Sequence, residues 1–87
     1  MEISKKLEND ELTSAIYNNM GICYAAIGQH KNALNIFLLS LELNNKSKNK
    51  GASAAILNNI AKLYIFIGEY DKALTAINQS FQLSKEL

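Results

Sequence analysis

Two pairs of adjacent asparagines, Asn18-Asn19 and Asn58-Asn59, are the residues whose type and spacing best fit a binding role. An amide side chain carries a hydrogen-bond donor and an acceptor together, so it can bond both the N–H and the C=O of an extended peptide of any sequence. Asparagine is also a mediocre helix residue, because its side chain competes for backbone hydrogen bonds. Its recurrence at one helical level therefore indicates peptide recognition, hydrogen bonding within the fold, or a position that simply faces water.

The residues that could support catalysis or metal binding do not converge. His30 is the only histidine and Cys23 the only cysteine. We expect His30 at a turn between helices, in a structural or solvent-facing role, and Cys23 as a small buried apolar residue. A single cysteine leaves no internal disulfide and no cysteine-built zinc site. The sequence predicts a protein that is not an enzyme and uses no cofactor and no metal.

The composition is that of a folded chain without a dominant charge. Hydrophobic residues make up 48% of the 87 residues and the formal net charge is +1. This balance predicts no attraction to nucleic acid or to an anionic membrane, and no apolar run approaches the roughly 20 residues of a membrane span. The single cysteine favours a cytoplasmic location. Three lysines, Lys46, Lys48 and Lys50, form a basic cluster without interleaved aromatic residues, which favours a solvated connector over the alternative of a phosphate-contacting patch.

The chain contains an internal repeat with a period of 40 residues. Ser14–Leu43 aligns with Ala54–Leu83, with 11 identities in 30 aligned positions. A period between about 20 and 50 residues is typical of repeat architectures. The identities fall at small or apolar sites and at the asparagine pairs.

Each copy carries two helical patterns. The first helix of each copy has apolar residues spaced 4, 3, 4, which places them on one stripe: Ile16, Met20, Cys23 and Ile27, then Ile56, Ile60, Leu63 and Ile67. Gly28 and Gly68 are predicted to end these helices. A second helix follows after a short turn, so each copy should be an antiparallel helical hairpin. Small residues recur where the helices should cross: Gly21 and Ala61, Ala33 and Ala73, Ser40 and Ser80.

The repeat divides the chain into four segments. Residues 11–44 and 52–87 are the two copies, and the polar residues 45–51 connect them as a loop or, in part, as an extension of the flanking helices. Residues 1–10 resemble the end of the second helix of a preceding copy, because Ile3-Ser4-Lys5 resembles Leu83-Ser84-Lys85 two periods later. The sequence thus predicts one all-α domain that corresponds to part of a longer array.

Both copies resemble a tetratricopeptide repeat, in particular its longer variety of about 40–42 residues. The matching positions are Tyr17, Met20-Gly21, Tyr24, Gly28-Gln29-His30, Ala33, Phe37 and Ser40-Leu41 in the first copy, and Leu57, Ile60-Ala61, Tyr64, Gly68-Glu69-Tyr70, Ala73, Ile77 and Ser80-Phe81 in the second. His30 and Ile77 depart from the usual aromatic residues, and neither copy is followed by proline. The resemblance implies an all-α fold of helical hairpins stacked as a right-handed solenoid.

The resemblance also implies a groove, lined by the first helices, that binds a peptide or a segment of a partner protein. Carried over by position, the groove residues are Ala15, Asn18, Ile22, Ala25 and Ala26, then Ala55, Asn58, Lys62, Ile65 and Phe66. Asn18 and Asn58 would bond the peptide backbone, whereas Asn19 and Asn59 would bond within or between helices. Lys62 would pair with an acidic group or remain solvated. Ile22, Ile65 and Phe66 would contact a ligand or be covered by a further unit or a second chain.

These observations predict a non-catalytic protein–protein interaction module that is part of a larger scaffold or signalling protein. The alternative is a structural segment that assembles with itself, because stacked repeats need about three units to bury a continuous core and this chain has two. Its ends would expose apolar faces such as Leu43 and Phe37, or Ile77 and Phe81, unless something covers them. This alternative predicts a homodimer or an exchange of helices between copies.

Overall fold

A computed structural model describes residues 2–86 of the chain, with side chains described from residue 9 onward. These residues form four α-helices and no β-strand: α1 (Glu2–Ala26), α2 (His30–Lys46), α3 (Lys50–Ile67) and α4 (Tyr70–Lys85). Helices α1 and α2 form one hairpin, α3 and α4 form the second, and α2 packs against α3 to join them. The prediction of an all-α stack of helical hairpins is confirmed.

The helix ends follow the turn residues of the sequence. Gly28 and Gly68 have φ of 86° and 87°, the left-handed conformation in which a glycine carries no side-chain strain. The N–H of Gln29 then bonds the carbonyl of Tyr24, and the N–H of Glu69 bonds that of Tyr64, both at 2.8 Å. The glycines therefore end α1 and α3 as predicted.

The polar connector is partly an extension of the helices on either side of it, one of the two alternatives that the sequence left open. Helix α2 continues to Lys46 and α3 begins at Lys50, so only residues 47–49 lie between them. At the other end, α1 runs without a break through the boundary expected at residue 10. The side chains of Ile3, Ser4 and Lys5 lie outside the described ones, and the assignment of residues 1–10 to a preceding copy stays a prediction.

Small residues hold each hairpin together. Ala33 and Ala73 are buried, as predicted for the positions where the second helix crosses the first. Ser14 and Ser40 bond each other across the first hairpin, since each hydroxyl reaches the backbone carbonyl of the other residue at 3.1 and 2.7 Å. In the second hairpin, Ser80 Oγ donates to the carbonyl of Ala54 at 2.9 Å. The two hairpins thus share one close-approach geometry.

The hydrophobic core lies around α3. Its buried members come from three helices: Ala33, Phe37, Ile56, Leu57, Ile60, Ala61, Leu63 and Ala76. Helix α3 is covered by α2 on one side and by α4 on the other. Because the stripe of α3 faces α2, Ile56, Ile60 and Leu63 are only 3 or 4% exposed.

The equivalent stripe of α1 is exposed, which corrects the expectation for Cys23. Ile16 is 50% exposed and Cys23 is also exposed, so the prediction that Cys23 is a buried apolar residue is wrong. The physical reason is that no described helix takes the place that α2 occupies beside α3. Phe37 belongs to the apolar faces that were expected to be exposed unless something covers them. It is covered, because its ring fills the space over Gly21 and is 2% exposed.

Candidate functional site

The candidate site is the surface between α1 and α3, here called the α1–α3 groove. One side-chain hydrogen bond crosses it, from Asn59 Nδ2 to Asn18 Oδ1 at 2.9 Å. Both asparagines are half-buried, whereas Asn19 and Asn58 are exposed. The asparagine pairs therefore place one amide of each pair in this groove, and Asn59 forms the bond between helices that the sequence led us to expect.

A cavity of about 230 Å³ lies on one side of this amide bond. It is lined by residues from α1, α2 and α3: Ile22, Ala25, His30, Phe37, Asn59, Lys62, Leu63 and Phe66. Ile22 is 48% exposed and Phe66 is 74% exposed, so the walls of this cavity are apolar and open to the surface. We call it the apolar cavity.

His30 belongs to the apolar cavity, which the sequence did not indicate. Its ring lies against that of Phe66, with centroids 4.5 Å apart and planes inclined by 40°. Its Nδ1 is buried and has no hydrogen-bond partner among the described residues. A buried polar atom without a partner is rare and costs about 1–3 kcal/mol, so a rotation of the His30 ring that brings Nδ1 to a ligand in the cavity would recover a hydrogen bond.

A second cavity, also of about 230 Å³, lies on the other side of the amide bond. Its lining is more polar and comes from three helices and a turn: Glu11, Ser14, Ala15, Asn18, Asn44, Asn49, Ala52, Ala55 and Ile56. Asn44 is 2% exposed, and its Nδ2 has no partner among the described residues. We call this the polar cavity. Like the apolar cavity, the polar cavity has one lining residue with a buried side-chain nitrogen that has no partner among the described residues.

The charges of the groove lie at its opposite ends. Lys62 borders the apolar cavity and Glu11 borders the polar cavity. The ion pairs found among the described residues join Lys50 to Glu86 and Lys72 to Glu69, so neither groove charge takes part in them. The groove therefore has a cationic end and an anionic end that an oriented ligand can distinguish.

The structure brings four of the six predicted site residues together. Ile22, Lys62 and Phe66 line the apolar cavity, and Asn18 lines the polar one. Asn58 and Ile65 are exposed and border neither cavity. Asn59, Asn44 and His30 are the additional residues. Only Asn59 had a signal in the sequence, its membership of an asparagine pair, since the other two enter the groove from α2.

Other features of the described residues do not compete with this groove. A larger cavity of about 570 Å³ lies among α2, α3 and α4, and its lining is made of leucines, a threonine and uncharged amides. Residues 9–86 contain no group of three or more side chains placed to hold a metal ion. None of the helices described is long and apolar enough to cross a membrane.

Comparison with known protein families finds one match. A family model described as "Tetratricopeptide repeat" matches residues 1–86, which is nearly the whole chain. The comparison with curated proteins and the comparison with solved structures each found no significant match.

Proposed function

Because the chain belongs to the tetratricopeptide repeat family, whose members typically are non-catalytic modules that bind other proteins, we propose that its α1–α3 groove binds an extended segment of a partner protein. The observation that carries this proposal is the pair of cavities on either side of the Asn18–Asn59 bond. Each has one buried side-chain nitrogen without a partner among the described residues.

The apolar cavity accepts an apolar side chain of the partner. Ile22 and Phe66 are large, exposed and on opposite sides of it, so a leucine-sized or aromatic group between them removes apolar surface from water on both walls. Lys62 at the same end attracts an acidic group of the segment. This end of the groove therefore favours a segment with an apolar residue close to an acidic one.

The amides bind the backbone of the segment. The bond between Asn18 Oδ1 and Asn59 Nδ2 leaves the Nδ2 of Asn18 and the Oδ1 of Asn59 as one donor and one acceptor. These two match a peptide C=O and N–H. A rotation of the His30 or Asn44 side chain would bring its buried nitrogen into the adjoining cavity as a further contact. The proposal thus assigns backbone binding to Asn18 and Asn59, in place of the expected Asn18 and Asn58.

Selection of short peptides from a displayed random library, followed by titration of the selected peptides, tests this function. We expect Ile22→Ala and Lys62→Glu each to weaken binding of the selected peptides about tenfold, the loss of a contact worth about 1.4 kcal/mol. Leu39→Ala is the matched control, because Leu39 is 46% exposed, close to the 48% of Ile22, and borders none of the cavities described above. Affinities that fall in the control and not in the groove variants would move the binding site elsewhere.

The cellular setting is also part of the proposal. We place the module in the cytoplasm, because its single cysteine leaves no internal disulfide, and within a scaffold or signalling protein, where the groove would hold a partner in position. Reading the gene on both sides of these 87 codons and imaging a fluorescent fusion of the complete product test these statements. A secreted product, or one in which the groove is covered by another segment of the same polypeptide, would contradict them.

A further inference from the structure

The two ends of the molecule expose faces that correspond to the two sides of its internal interface. At one end, the α1 outer face consists of Ile16, Met20, Cys23 and Ile27, 40 residues before Ile56, Ile60, Leu63 and Ile67. In α3 the first three of these residues are 3 or 4% exposed beneath α2, whereas Ile16 is 50% and Met20 38% exposed. The α1 outer face thus has the residues of a helix contact, and no helix among the described residues covers it.

At the other end, α4 exposes the face that is equivalent to the α2 face covering α3. The α4 outer face consists of Leu74, Ile77 and Phe81, 40 residues after Leu34, Phe37 and Leu41. In α2 these residues pack on the core around α3, and Phe37 is fully covered. In α4 they are between 41 and 59% exposed. Each end of the chain therefore carries one half of the interface that joins its own hairpins.

We propose that a second copy of this chain stacks head to tail on the first, with the α4 outer face of one copy against the α1 outer face of the next. The contact repeats the α2–α3 interface, displaced by one repeat. It uses neither cavity of the α1–α3 groove, so it stands independently of the proposed peptide binding.

The exposed asparagines supply the register of this stack. Within the chain, Asn18 of α1 bonds Asn59 of α3. One repeat further along the stack, the place of Asn18 is taken by Asn58, and the place of Asn59 is taken by Asn19 in the first repeat of the next copy. Both Asn58 and Asn19 are exposed in the single chain. Each asparagine pair then has one amide for the interface within the chain and one for the interface between copies. Asn19 already lies on the α1 outer face, in a surface cavity of about 420 Å³ with Ile16 and Met20.

The charges at the contact also match. Within the chain, Ser53 Oγ donates to Asn45 Oδ1 at 3.1 Å, which fixes the end of α2 beside the start of α3. In the stack, Lys85 takes the place of Asn45, and Thr13 of the next copy takes the place of Ser53. Thr13 lies about one helical turn from Asp10 on α1, so Lys85 comes close to Asp10. A basic residue at the end of α4 therefore meets an acidic turn of α1. Opposite charges at this point favour the second copy in this orientation.

A head-to-tail contact has a consequence that a two-fold dimer does not share. Because the two faces differ, every stacked copy leaves one face free at each end of the assembly, and the assembly grows beyond two copies. The mean mass should thus rise continuously with protein concentration from the 9.7 kDa of one chain. The new interface would also continue the groove, with Ile65 and Asn58 at its margin.

Mixing of two blocked variants tests the orientation. Met20→Glu blocks the α1 outer face and Phe81→Glu blocks the α4 outer face, and both residues are exposed, so each variant should keep the circular dichroism of the wild type. In sedimentation velocity, each variant alone should be a monomer at concentrations where the wild type assembles. Their equimolar mixture should form a dimer of defined mass, because one intact face remains on each partner.

Two further readouts locate the contact. Asn19→Ala and Asn58→Ala should each weaken assembly about fivefold, the loss of a neutral hydrogen bond. Asn35→Ala, which replaces an exposed asparagine in the interior of α2, should leave assembly unchanged. The thiol of Cys23 should react more slowly with a thiol reagent as the wild-type concentration rises, and this protection should be absent in Phe81→Glu.

Three results would overturn the proposal. The first is a wild-type chain that remains a monomer up to millimolar concentration. The second is assembly that stops at two copies, with a mixture of the blocked variants that stays monomeric, since both are properties of a two-fold dimer. The third is a Cys23 reaction rate that does not change with concentration while assembly takes place.

Discussion

At the scale of single residues, the two hairpins solve one packing problem with two different residue pairs. A Cβ placed on Gly21 would lie 2.5 Å from Cε1 of Phe37. The first hairpin therefore pairs a residue without a side chain, Gly21, with a large aromatic ring. The second hairpin has Ala61 and Ile77 at these positions, a larger residue with a smaller one. The close approach of the two helices limits the combined volume of the paired side chains, and not the size of either one alone.

Replacing Gly21 by alanine tests this exchange. Gly21→Ala should lower the free energy of unfolding by about 1–3 kcal/mol, because the added methyl group displaces the Phe37 ring. In Gly21→Ala/Phe37→Ile, which reproduces the pair of the second hairpin, part of this loss should be recovered. Urea unfolding of the two single variants and the double variant gives the coupling energy.

Gly51→Ala is the control for the intrinsic effect of glycine in a helix. Gly51 is exposed in the first turn of α3, so alanine there should leave stability unchanged or raise it by up to about 1 kcal/mol. A loss at Gly51 equal to that at Gly21 would contradict the steric explanation.

At the scale of the helices, α3 differs from the other two helices that follow a turn. The Asn49 side chain accepts a hydrogen bond from the N–H of Ala52 at 3.1 Å and so caps the start of α3. Helices α2 and α4 begin after Gln29 and Glu69, whose side chains make no such bond. The helix at the centre of the core is therefore also the one with a side-chain cap.

Removal of this cap should destabilise the whole domain. Asn49→Ala leaves a backbone donor of α3 without its partner, and we expect a loss of about 0.5–2 kcal/mol in the free energy of unfolding. The matched control is Asn35→Ala, which should be neutral or slightly stabilising because alanine is the better residue in a helix interior. Thermal unfolding of both variants measures the difference, and equal effects would show that the Asn49 side chain does not act as a cap.

At the scale of the whole molecule, burial is unequal among the four helices. Helix α3 has seven buried residues, whereas α4 has three, because α3 lies between α2 and α4 and α4 has a neighbour on one side only. Protection of backbone amides depends on such burial, since exposed helices open locally at low free energy. The stability of this chain should therefore be concentrated at its centre.

Hydrogen exchange tests this distribution. At low protein concentration, the amides of α3 should exchange most slowly and those of α4 several-fold faster, as mass spectrometry of peptide fragments would resolve. At a concentration where copies stack, protection should increase in α1 and α4 and remain nearly constant in α3. Uniform protection of all four helices would contradict the central position of α3.

The sequence alone determined the helical hairpins, the ends of α1 and α3 at the glycines, and the close contacts within each hairpin. These features depend on local chemistry: the 4, 3, 4 spacing of apolar residues in α1 and α3, the left-handed conformation at Gly28 and Gly68, and the short side chains of Ala33 and Ala73 at the crossings. Three of the predicted groove residues, Ile22, Lys62 and Phe66, also line one cavity, because the repeat sets the same helix faces side by side.

Only the tertiary structure decided which copy of a repeated feature is buried. Ile16 and Ile56 have the same residue type and the same place in the repeat, yet one is 50% and the other 3% exposed. Burial depends on the neighbouring helix, and the periodicity of a single helix carries no information about that neighbour. The same reason explains why Asn18 pairs with Asn59 and why His30 and Asn44 enter the groove from α2.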